Sequence, residues 1–106
     1  MPKIADSKVL IVATDGFEES ELFGPRAILL GLGAEVVLAA PSAAPIQATV
    51  RGDPGKGNRP DLTIAEASAD DFDALILPGG VRNPDSLRSH ASAIALIRAF
   101  DAAGKP

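Results

Sequence analysis

The chain has 106 residues, which suits one domain and is too short for two. It is 46% hydrophobic and 23% charged, with no cysteine, a composition that excludes disordered and disulfide-scaffold classes. It also excludes a thiol nucleophile or thiolate metal site within these residues. The net charge is −4 and the basic residues are scattered singly, so no nucleic-acid partner is expected.

In chain order, "MPKIADSK" lacks the apolar segment of a secretory signal, and no later run approaches the roughly 20 apolar residues of a membrane span. A cytoplasmic location with no membrane partner is the expectation. "KVLIVA" (8–13) is a continuous apolar run, the pattern of a strand buried on both faces of a parallel sheet. The polar turn "TDGFEES" leads into "ELFGPRAILLGLG", where Leu22, Phe23, Ala27 and Leu30 can share a helical face and Gly31 and Gly33 can end it. Pro25 is comfortable only in a first turn, so the helix is predicted to begin near Glu21.

"EVVLAAP" (35–41) predicts a second buried strand. "RGDPGKGNRP" reads as an exposed loop between the short strand candidates "IQATV" and "LTI". "DALILPGG" predicts a third buried strand with a glycine exit, followed by a short helical turn at "NPDSLRSH". Ala93, Leu96, Ile97 and Phe100 then mark an amphipathic helix. Gly104 is expected just past that helix, in a left-handed conformation, with Pro106 confirming the stop.

Alternating strand and helix at this spacing is the βαβ pattern of a flavodoxin-like sheet. Read as β–α–β–(small hairpin)–β–α, the sheet is incomplete, because the strand due after Pro106 would lie beside "ALILP". An apolar strand at an open edge is expected to be covered by another chain or to pair with itself.

Few motifs carry chemistry. "RGDPGKGN" lacks the spacing and the Ser or Thr of a phosphate loop, and Pro60 blocks an immediate helix. "GLGA" sits at a helix end, so it is no dinucleotide fingerprint. A phosphate-accepting receiver domain needs an Asp where this chain has "LILPGG". His90, the single histidine, reads as an exposed loop or helix residue and cannot build a metal site alone. No metal or cofactor is expected.

Four acids, Asp15, Glu18, Glu19 and Glu21, crowd the carboxyl end of the first strand, where open α/β sheets place ligands. Acids at a helix N-terminus are also favoured by the dipole alone, by about 0.3–1 kcal/mol each. Glu21 is the one placed to turn toward the top of the sheet. "LPGG" offers backbone N–H groups suited to an oxyanion, or simply a tight strand exit.

Three stretches together resemble the PfpI family, the intracellular-protease and Parkinson-protein superfamily related in fold to class I glutamine amidotransferases. They are "KVLIVATDGFEESELFGP", "DLTIAEASADDFDALILPGG" and "NPDSLRS…IRAFDAAGKP", and the resemblance covers essentially all 106 residues. It implies an α/β flavodoxin-like three-layer sandwich, with residues 1–106 as the N-terminal part of a single domain. It also implies cysteine-dependent peptidase, glyoxalase or deglycase-type chemistry on small carbonyl or peptide substrates.

By the same resemblance, Glu21 hydrogen-bonds the nucleophilic thiol and Gly80 lends its amide to the oxyanion hole. Asp85 stands where an acid reaches a neighbouring subunit. The family's "GKP" runs into a strand and a nucleophile elbow bearing the Cys. This sequence stops before that elbow, so the expectation is an incomplete, inactive portion partnered by a complementary C-terminal fragment or a second copy. A non-catalytic interaction module and a small-ligand binder are the alternatives.

Overall fold

The computed structural model describes residues 4–51, 53–78 and 91–106. A 3-10 turn (Ile4–Asp6) leads into β1 (Lys8–Val12), followed by β2 (Phe17–Glu18) and α1 (Glu19–Gly31). Next come β3 (Glu35–Ala40), β4 (Ile46–Val50), β5 (Asp53–Asn58) and β6 (Leu62–Thr63). Two 3-10 turns (Ile64–Glu66 and Ala69–Asp71), β7 (Ala74–Ile76) and α2 (Ala91–Ala102) are the remaining elements among the described residues.

The main sheet has the order β6-β3-β1-β7, and every pair in it is parallel. β1 is central, with Val9 opposite both Val36 and Ala74. Its side chains alternate between two cores. Leu10 and Val12 join Ala39, Ile64, Phe72, Ala93, Leu96 and Phe100 on the α2 side. Ile11 and Ala13 join Phe17, Leu22, Leu38, Ile46 and Ala48 on the α1 side. That two-sided burial is why the run "KVLIV" carries no polar alternation, and it makes the molecule an α/β three-layer sandwich of the flavodoxin-like type.

Both helices end in the same way. Gly33 has φ +90°, with Gly33 N–H donating to the Leu30 carbonyl at 3.1 Å and Ala34 N–H to that of Leu29 at 3.0 Å. Gly104 has φ +71°, with Gly104 N–H donating to the Asp101 carbonyl and Lys105 N–H to that of Phe100, each at 3.0 Å. These are two Schellman motifs, and each turns the chain back toward the sheet. After the first, β3 begins at once. After the second, the Pro106 carbonyl accepts the N–H of Leu75 in β7 at 2.9 Å.

Five expectations need correction. Pro25 lies inside α1, which starts at Glu19, so the helix tolerates a residue that cannot donate to the carbonyl of Glu21. On α1, Leu22 is buried and Phe23 half-buried, whereas Ala27 and Leu30 face outward. The expected loop at 53–58 is strand β5, antiparallel to β4 with a bulge between Gln47 and Thr49. "LT" is not its partner, because Leu62–Thr63 pairs with β3 in the main sheet. Finally, β7, expected to be buried, is only half-buried, while its place at the edge of the described sheet is the expected one.

Arg51, at φ +53°, lies in the β4–β5 turn. β4, between β2 and β5, makes a second sheet of order β2-β4-β5. The helical turn expected at "NPDSLRSH" and His90 lie outside the described residues.

Candidate active site

The carboxyl end of β1 runs into Thr14, which is buried, and then turns at Gly16, whose φ of +88° suits glycine. Phe17 is fully buried against Leu22 and Ala48, and its ring meets that of Phe23 edge-on at 6.2 Å. Helix α1 starts two residues later, with Glu19 and Glu21 in its first turn. Glu21 is exposed there, at the helix end whose free N–H groups favour a negative charge.

The neighbouring acids meet the β4–β5 hairpin. Asp15 Oδ1 accepts the Gln47 N–H at 2.8 Å, and the Gly16 N–H donates to the Gln47 carbonyl at 2.9 Å. Glu18 Oε1 accepts the Arg51 N–H at 3.1 Å. The Thr49 hydroxyl donates to the Phe17 carbonyl at 3.0 Å, within the parallel pairing of β2 with β4. Gln47 Nε2 donates to the carbonyls of Ala48 and Gly55, joining the two hairpin strands. Glu19 Oε1 stands so near Gly55 that a β-carbon there would be 3.0 Å away.

Of the three residues singled out from sequence, the structure therefore places Glu21, in the first turn of α1. Gly80 and Asp85 lie outside the described residues. Asp15 was named among the four acids but its partner was not, and Gln47 and Gly55 were not singled out, because the Asp15–Gln47 bond joins segments 32 residues apart.

Among the described residues no group of three or more His, Cys, Asp or Glu is arranged to hold a metal ion. A groove of about 350 Å³ runs between α2 and the 3-10 turns, past Ile64, Ala67, Ser92 and Ala99. A smaller one, of about 150 Å³, lies between Leu29 of α1 and Ala74 and Ile76 of β7. Neither includes Glu21. No helix among the described residues is long and apolar enough to cross a membrane.

Comparison with known proteins gives this arrangement its context. The chain is 37% identical over 99 residues to a deglycase of Thermococcus kodakarensis, covering 93% of this chain and 57% of the relative. It is 36% identical over 100 residues to protein/nucleic acid deglycase 2 of Escherichia coli, covering 93% and 56%. The chain thus spans little more than half the length of these relatives.

Its fold superimposes on oxidised Toxoplasma gondii DJ-1 with a TM-score of 0.82 at 27% identity, covering 94% of this chain and 53% of that one. A two-domain Anabaena variabilis protein with DJ-1/ThiJ/PfpI-like and ferritin-like domains gives a TM-score of 0.86 at 27% identity, covering 94% and 28%. The family model described as DJ-1/PfpI matches residues 7–106, nearly the whole sequence, and the chain belongs to the DJ-1/PfpI family.

Proposed function

We propose that this chain supplies the acid-bearing part of a thiol-dependent active site with deglycase-type chemistry on reactive carbonyl adducts. The observation that carries the reading is Glu21, held in the first turn of α1 at the carboxyl end of the central strand. Open α/β sheets place their reacting groups at that end, and the relatives named deglycase share over a third of the sequence.

The chain has no cysteine, so the thiol must come from residues outside these 106. In this reading Glu21 orients the thiol, and the thiolate adds to the carbonyl carbon to give a covalent adduct. The amide of Gly80 stabilises the oxyanion that forms, and Asp85 reaches a neighbouring subunit. A complementary thiol-bearing segment completes the site, and the 106 residues alone are inactive. Peptidase and glyoxalase activities use the same thiolate and remain within this class.

A second reading has its own observation. Among the described residues β7 has a neighbouring strand on one side alone, and Leu77 just beyond it is 46% exposed, which favours an interaction module that associates through this edge.

The test is release of methylglyoxal adducts from a glycated peptide. The assay compares the chain alone with the chain mixed with the thiol-bearing second half of the Thermococcus deglycase. Turnover is expected only in the mixture, and Glu21→Gln is expected to lower it by about 100-fold, the low end of an acid–base contribution. Turnover by the chain alone, or an active mixture indifferent to Glu21→Gln, removes the proposal. Native mass measurement of each sample shows whether the halves join or the chain pairs with itself.

A further inference from the structure

Of the four acids only Glu19 and Glu21 lie in the first turn of α1, where the helix dipole favours a negative charge. The acids that precede Glu21 are each engaged with, or pressed against, a different residue of one element. Asp15 meets Gln47 and Glu18 meets Arg51 through charge-assisted hydrogen bonds, while Glu19 abuts Gly55. All three targets belong to the β4–β5 hairpin, which joins the acidic turn through a second sheet with only the two-residue β2 between them.

The hairpin is thereby fastened on both sides of Phe17, whose burial anchors the turn in the α1-side core. Glu21 follows within the first turn of α1, two residues beyond Glu19.

We propose that Asp15 and Glu18 are positioning residues. They latch the β4–β5 hairpin onto the start of α1, and the latch sets where the Glu21 carboxylate stands above the carboxyl end of β1. The use of that carboxylate rests on the function proposed above; the latch itself does not.

The experiment compares Asp15→Ala, Asp15→Asn and Glu18→Ala in the isolated chain by NMR. It follows amide exchange at Gln47 and Arg51 and the carboxyl carbon signal of Glu21. Loss of a hydrogen bond to a charged acceptor is expected to speed exchange about tenfold or more, at Gln47 in Asp15→Ala and at Arg51 in Glu18→Ala. The Glu21 signal is expected to move with it. Asp15→Asn keeps an acceptor oxygen and is expected to bring both readouts back toward wild type, which a general loss of stability would not do.

Unchanged exchange overturns the latch. Faster exchange with an unmoved Glu21 signal overturns its positioning role. In the reconstituted mixture, Asp15→Ala is expected to lower kcat and leave KM nearly unchanged. Should Glu21→Gln prove silent there while the NMR results hold, the functional reading fails and the latch stands.

Discussion

At position 55 a β-carbon would lie 3.0 Å from Glu19 Oε1, 3.2 Å from Val50 Cγ2 and 3.4 Å from Ala48 Cβ. At position 57 the nearest atom, the Ile46 carbonyl oxygen, is 3.9 Å away. Gly55→Ala is therefore expected to destabilise the chain by about 1–2 kcal/mol through overpacking. Gly57→Ala is expected to be neutral or to stabilise by up to about 1 kcal/mol, since it only restricts the unfolded chain. Urea unfolding of both variants decides the matter, and the reverse order would show that position 55 is not the more crowded of the two. In the sequence the two glycines look alike, because both sit in a stretch whose composition suggests a loop. What separates them is crowding by Glu19 of α1 and by Val50 and Ala48 of β4, which no local pattern records. Glu21 was legible for the opposite reason: its place follows from the end of one strand and the start of one helix, both written locally.

Elements differ in how openly they announce themselves. β1, β3 and α2 follow from runs and spacings of apolar residues, and Gly33 and Gly104 mark the helix ends by their need for positive φ. β5 hides because Pro54, Gly55 and Gly57 are poor strand formers; it persists as an edge strand, where a missing donor is tolerated. The 3-10 turn after β6 shows a small device of the same local kind. The Thr63 N–H and hydroxyl donate to Glu66 Oε1 at 2.9 and 2.8 Å, and the backbone donor, then the hydroxyl, holds the Glu66 carboxyl below its usual range. A carboxyl depressed in the folded state stabilises above its unfolded value, and that stability is lost as pH falls through the folded one. Wild type is thus expected to melt above Glu66→Gln near neutrality, with the gap closing as the solution is acidified through the carboxylate range. Thermal melts over a pH series test this, and a gap that widens in acid contradicts it.

At the scale of the whole molecule, the β7 side of the described sheet is expected to influence behaviour in solution. Pro106 covers one donor of β7, yet Leu77 is exposed and the groove beside Leu29, Ala74 and Ile76 is apolar. Leu77→Lys places a charge at this edge, as natural edge strands often do. The wild-type chain is expected to form larger species as concentration rises, with the variant remaining at 10.8 kDa in native mass spectra. Equal behaviour of the two would mean the edge is not adhesive.

The two cores also differ in when they can form. The buried residues of the α1-side core come from Ile11 to Ala48, with Ile76 packed against them, whereas the α2-side core waits for Ile64, Phe72, Ala93, Leu96 and Phe100. Synthesis runs from the N-terminus, so a ribosome releasing this chain extrudes a half-finished sheet first. Leu10, Val12 and Ala39 are therefore expected to lack part of their cover until the later segments emerge, and that interval is when a chaperone has something to hold.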